Sequence, residues 1–345
     1  MKKILPLFIV ITMLFTLLTG CNTSKSNTPT TTETNATTTE SEKSYTLKIG
    51  HSVTEKSSWH LGLVKFKELV AQKSNGRITI EIYPNLTLGS EREMIEGMMI
   101  GSVDMGLVSP SIASSFTSNL SVLDMPYIFR DFDHAHKVLD SEIGQELLKS
   151  LEDIGIEGLA FYENGWRSIA TSKPISSLSD LKGMKIRTPE SPMYIEIFKA
   201  LGANPVPMTW GDVYTALQQK TIDGTESSND NTYKAKMHEV APYVTCSYQA
   251  YASTFIGMSK QLWDTLSEND QKIIRESAME AAPYQRQLAG EMEEESLKKM
   301  ESEGSIVIRH DEMDWTEWEK AAEVVYEVYK DKVSPELIAE IKAMK

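Results

Sequence analysis

Between residues 45 and 108 the chain switches repeatedly between two hydrophobic periods, and this alternation restricts the fold more than any other feature. "YTLKIGHS" has the pattern of a strand. "SSWHLGLVKFKELVAQKSNG" then sets Trp59, Leu63, Phe66 and Val70 at helical spacing, with Gly76 as a stop. "RITIEIYP" follows as strand, "SEREMIEGMMIG" as helix and "VDMGLVS" as strand. A βαβαβ run of this kind predicts a largely parallel sheet with helices on its faces, and ligands bound beyond the carboxyl ends of the strands.

A second set of similar size comes later. "FDHAHKVLDSEIGQELLKSLEDIG" reads as a helix; "EGLAFYEN", "RSIATS" and "MKIRT" read as strands, and "SPMYIEIFKALGA" as a helix. "PVPMT", the helix "WGDVYTALQQK" and the turn "TIDGTESS" complete the set, so the economical fold is α/β with two lobes. From Ser267 to Gly304 the pattern is helical, interrupted only by Pro283, where a kink is expected. At roughly 1.5 Å per residue such a helix exceeds about 50 Å, longer than one lobe is wide, and is expected to run along both.

The first residues, "MKKILPLFIVITMLFTLLTGC", combine two lysines, a short apolar run and small residues, the pattern of a signal peptide over residues 1–20. "LLTGC" resembles the lipobox of bacterial lipoproteins, which would make Cys21 the lipid-bearing residue and tie the protein to the outer face of a membrane. Residues 21–44 contain almost nothing that could bury and are expected to be a flexible tether. Cys246 is the one cysteine beyond Cys21, so neither an internal disulfide nor a cysteine metal cluster is expected. With 35 Lys+Arg against 49 Asp+Glu, the chain lacks the basic surface that nucleic acid requires, and no nucleic-acid partner is expected.

Motifs for catalysis and cofactors are sparse. There is no GxSxG elbow, no GxxxxGK[ST] phosphate loop and no GxGxxG after a strand. "HEVAP" begins like HExxH, but Pro242 occupies the place of the second histidine. "RDFDHAH" offers Asp131, Asp133, His134 and His136, yet aspartates just ahead of a helix commonly cap it, so neither metal nor cofactor is expected. Glu91 and Glu93 would suit glycoside chemistry as an acid and base pair, which leaves a surface enzyme acting on sugar acids as one alternative. Acids in a first helical turn are also favoured by the helix dipole alone.

Two arginines point elsewhere. Arg187 ends the strand "MKIRT", where Met184 and Ile186 alternate with Lys185 and Arg187, and Arg167 opens "RSIATS" after Gly165. Two planar guanidiniums can grip one carboxylate. His51 and Ser52 after the first strand, Ser109 after "MGLV", Trp210 after "PVPMT" and Ser227 after "IDGTE" occupy comparable strand ends and would complete a cleft for a small polar anion.

These residues also carry a resemblance. "GMKIRTPESPMYIEIFKALGANPVPMTWGDVYTALQQKTIDGTES" is similar to the signature of extracytoplasmic solute receptors of TRAP transporters, of the dicarboxylate-receptor type. The likeness extends through "YPNLTLGSEREMIEGMMIGSVDMGLVS", "LDMPYIFRDFDHAHKVLD" and "MSKQLWDTLSENDQKII" and covers nearly all of residues 45–330. It implies a periplasmic-binding-protein-like fold whose two lobes close on a carboxylate-bearing solute and deliver it to a TRAP permease. Under that resemblance Arg187 matches the clamping arginine, Arg167 a second arginine on the same carboxylate, and Trp210 the aromatic position before "VYTALQ". "LGSEREMIE" and "MPYIFRDFDHAHKV" look most like members that bind uronates or aldonates, whose hydroxyls His51, Glu91 and Glu93 would meet.

One departure is that many members have asparagine directly after the glutamate of "DG-E", where this chain has Ser227, Ser228 and then Asn229. The expected ligand contacts are therefore Arg187, Arg167, His51, Glu91, Glu93, Ser109, Trp210, Ser227 and Asn231. The first lobe is expected over residues 45–164 and 253–290, the second over 165–252 and 291–345. A ligand-sensing surface protein would share this fold and is a further alternative.

Overall fold

Leu47 and Ile49 are buried while Thr46 and Lys48 face water, and this period of two makes β1 (Tyr45–Gly50) the half-covered strand its sequence predicts. The computed structural model describes residues 43–345, so the expected signal peptide, Cys21 and nearly all of the tether lie outside the described residues. β1 lies between β2 (Ile78–Tyr83) and β3 (Met105–Val108), parallel to both. Helices α1 (Ser58–Lys73) and α2 (Glu91–Met99) make the connections. α1 buries Trp59, Leu63, Phe66 and Val70 on one face, and Ser57 caps it by accepting the His60 N–H.

The first sheet is less parallel than the opening pattern predicts. It continues with β4 (Ile156–Trp166) and, between β3 and β4, with β10 (Tyr251–Ser259), which runs antiparallel to both neighbours. β4 and β10 are buried along their whole length and show no alternation; β4 contains the strand expected at "EGLAFYEN", whereas β10 has no counterpart in the sequence reading. The stretch 132–155 differs too: helices Phe132–Asp140 and Glu142–Lys149 replace the single helix expected. Ser141 ends one and caps the other, and the Leu139 carbonyl comes so close to Gly144 that a Cβ there would lie 2.0 Å away.

The second sheet has the order β11-β9-β5-β8-β6-β7. Its strands are β5 (Ser168–Thr171), β6 (Lys185–Thr188), β7 (Asn204–Pro207), β8 (Gly224–Ser227), β9 (Tyr243–Thr245) and β11 (Ile306–Ile308). The expected turn "TIDGTESS" is corrected here, because its second half is β8, a fully buried central strand.

Two crossings join the sheets, one at Arg167 between β4 and β5 and one at residues 246–250 between β9 and β10. They are tied by the Arg167 N–H to the Ala250 carbonyl at 3.0 Å. Trp166 of one crossing stacks on Tyr248 of the other, with ring centres 5.6 Å apart. The long helix Glu268–Ser302 passes through Pro283 without interruption. Ile274 and Ala278 join the core of the first sheet, and Leu297 and Met300 join that of the second, so the helix spans both lobes. Midway, the Gln285 amide takes the Glu163 N–H at 2.7 Å and donates to the Glu163 carbonyl at 2.8 Å, serving β4 as a neighbouring strand would. The C-terminal helix Pro335–Ala343 reaches toward the first lobe, where Arg130 bonds the Lys342 and Met344 carbonyls. Among the described residues, no helix is long and apolar enough to cross a membrane.

Candidate functional site

The ends of β1, β3, β6 and β8, the N-terminus of α2 and the start of β5 converge on one cavity of about 60 Å³ between the lobes. Of the residues expected from sequence, Arg187, Arg167, Glu91, Ser109, Trp210, Ser227 and Asn231 line it, together with Ser52.

Alternation along "MKIRT" sets Arg187 opposite Ile186, yet Arg187 is only 4 % exposed and lines the cavity. Its Nε and Nη2 donate to the Met208 carbonyl at 2.9 and 2.7 Å, and the guanidinium lies 5.5 Å from the Trp210 ring centre. Among the described residues no carboxylate lies within ion-pair distance of it. Burial pulls its pKa down to about 10, Arg167 acts in the same direction and Glu226 opposes, so it stays charged at neutral pH. A buried cation with unused Nη1 donors and no counter-ion is a strong anion site.

Arg167 is different. Nε and Nη2 make a side-on pair with Glu226 at 2.6 and 2.7 Å. Burial opposes its charge, but Glu226 and Tyr194 hold its pKa above the usual value. Asp124 stands in the same buried cluster, where desolvation pushes its carboxyl up to about 8 against the opposing field of Arg167. At neutral pH the cluster is therefore one arginine, one glutamate and one neutral aspartic acid, and it leaves Arg187 as the uncompensated cation.

Two residues expected as contacts do not line the cavity. Glu93 accepts the Ser90 N–H at 2.7 Å and the Ser90 hydroxyl at 2.9 Å as the return half of a capping box, is exposed and does not line the cavity. His51 is fully buried behind the wall, where its Nε2 meets His60 Nδ1 at 3.0 Å. The acid and base pair expected of Glu91 and Glu93 is therefore not assembled at the cavity, since of these two only Glu91 lines it.

Asn229 turns away and donates to Glu293 at 2.7 Å. Asn231 instead lines the cavity and donates to Asn164 Oδ1 at 2.9 Å, an oxygen that also accepts from Ser228 at 3.0 Å. Where the shifted Asn229 of "TESSND" does not line the cavity, Ser227 and Asn231 on either side of it do. Trp59 and Asn164 are lining residues absent from the expected set. The Trp59 indole N–H has no partner among the described residues. Their core-like surroundings concealed them: Trp59 fits the apolar face of α1, and Asn164 lies inside a fully buried strand.

Two α/β lobes joined by crossing strands and a spanning helix, with a charged cavity between them, define a solute-binding protein of the periplasmic type. The chain belongs to the family "Bacterial extracellular solute-binding protein, family 7", whose model matches residues 49–332. It is 37 % identical over 263 residues to the 2,3-diketo-L-gulonate-binding periplasmic protein YiaO of Escherichia coli K12, covering 76 % of this chain and 80 % of that one. A TRAP periplasmic solute binding protein from Polaromonas sp. JS666, bound to D-erythronate, superposes with a TM-score of 0.84 at 33 % identity, over 87 % of this chain and 99 % of the other. One from Xanthobacter autotrophicus Py2, with bound β-D-galacturonate, gives 0.83 at 31 %, over 87 % and 100 %. The family and these neighbours are solute receptors rather than enzymes, and their place is extracytoplasmic.

Proposed function

We propose that this chain captures a small sugar acid outside the cytoplasm, with the ligand carboxylate on Arg187, and delivers it to a TRAP-type permease. The observation that carries this reading is the buried Arg187 guanidinium, which lines the cavity without a carboxylate partner among the described residues. Arg167, Trp210, Ser227 and Asn231 surround the same carboxylate, while Glu91 and Ser109 take the hydroxylated part. The sugar-acid class is supported by relatives that hold 2,3-diketo-L-gulonate, D-erythronate and galacturonate. The lobes divide at residues 164 and 252 and in the long helix near residue 290. A lipid on Cys21 and the tether after it hold the receptor at the outer face of the cell membrane.

A thermal-shift screen across uronates, aldonates, keto acids and C4-dicarboxylates tests the assignment. One sugar acid at saturating concentration is expected to raise the unfolding temperature by roughly several degrees and to be recovered unchanged. A shift of the same size in Arg187→Ala would overturn the site.

A further inference from the structure

The carboxylates on the cavity wall are held in different ways. Glu91, at the first position of α2, accepts the Ser52 hydroxyl on Oε1 at 2.8 Å and the Ser109 backbone N–H on Oε2 at 2.7 Å. No cation lies within ion-pair distance of it among the described residues. Glu190, from the other lobe, stands 4.0 Å from Arg92 Nε, and the Arg92 guanidinium also lies 5.1 Å from the Phe116 ring centre. Of the three lining arginines, Arg167 is neutralised by Glu226 and Arg92 is shared between Glu190 and Phe116, which leaves Arg187. Among the described residues, Arg187 and Glu91 thus line the same cavity without an ion-pair partner, and Glu91 helps to hold the charge of Arg187.

Each Glu91 oxygen has used one of its two acceptor directions. The remaining pair suits two hydroxyl donors on neighbouring carbons. A second ligand carboxylate would meet like charge in a site with little water to screen it, an arrangement that binding sites use to exclude wrong partners. We propose that Glu91 restricts this receptor to acids with one carboxylate and a pair of adjacent hydroxyls, and turns away diacids, including the diacid on the same carbon skeleton. The inference rests on Arg187 as the carboxylate site.

Calorimetry on the full chain with D-galactonate, D-galacturonate, galactarate and succinate tests it. The better monoacid is expected to bind at least about a hundredfold more tightly than either diacid. Glu91→Gln is expected to narrow the gap between that monoacid and galactarate to about tenfold or less, by weakening the first and strengthening the second. Diacid affinity within about threefold of the monoacid in the parent, or an unchanged ratio in Glu91→Gln, overturns the role of Glu91. If Glu91→Gln binds nothing, the parent ratio alone decides. Undiminished binding by Arg187→Ala overturns the carboxylate site itself, whereas parent discrimination lost only in Glu91→Gln supports both readings. A parent that binds none of the four acids counts against both.

Discussion

Arg167 and Glu226 meet side-on through two short bonds, 2.6 and 2.7 Å, with both side chains buried. Arg187, twenty residues later in the same cavity, donates to a carbonyl and has no carboxylate within ion-pair distance among the described residues. One guanidinium is committed to the fold and the other is left for a ligand.

The two arginines should therefore fail in different ways. Arg187→Ala is expected to weaken ligand binding by roughly 3 kcal/mol or more, over a hundredfold, with the unliganded protein still folded. Arg167→Ala strands Glu226 as a buried unpaired charge and should cost about 3–5 kcal/mol of stability. Urea unfolding separates the two, and adding Glu226→Gln to Arg167→Ala should recover part of the loss. Equal stability of the two arginine variants would refute the division.

Alkaline pH should destabilise the unliganded protein. Burial holds the Asp124 and Glu293 carboxyls up at about 8, so between their ordinary range and pH 8 the folded chain binds more protons than the unfolded one. Stability then falls as pH rises through that window. Asp124→Asn, neutral at every pH, should flatten the fall between about pH 6 and 8 in thermal melts; an unaltered slope would count against a buried neutral Asp124.

The acid side has the opposite sign. Burial, with His60 beside it, holds His51 down at about 3 against an ordinary 6.5, so in that interval the unfolded chain binds the extra proton. Stability is present above 6.5 and is lost as pH falls toward 3. His51→Gln should lessen the drop in melting temperature between about pH 6.5 and 4.5. A steeper drop in the variant would show that His51 is charged when folded.

Gly165 should tolerate no side chain. Its φ is +105°, and a Cβ would lie 2.9 Å from Oε2 of Glu293 on the long helix. Gly165→Ala is expected to cost roughly 1–3 kcal/mol and to lower the melting temperature. A variant as stable as the parent would mean that the crossing strands adjust freely.

The same residues mark the boundary between what is legible in the sequence and what is not. β1, α1, β2 and α2 are readable because each is covered on one face, which writes a period into neighbouring residues. β8 and β10 are buried along their whole length and carry no such period, whereas β4, equally buried, is still legible as the strand "EGLAFYEN". Glu93 looked like a ligand contact because a first-turn acid serves a cap or a cavity equally well, and only the turn of the helix decides.

The sequence by itself determined the α/β succession, the long helix, the family signature and the arginines at the strand ends. Only the tertiary structure decided which arginine is free. Glu226 lies fifty-nine residues from Arg167, and no local pattern links them. Packing β5 against β8 brings that carboxylate to Arg167 and leaves Arg187 with the Met208 carbonyl. Charge compensation in a buried site depends on distance through the fold rather than along the chain.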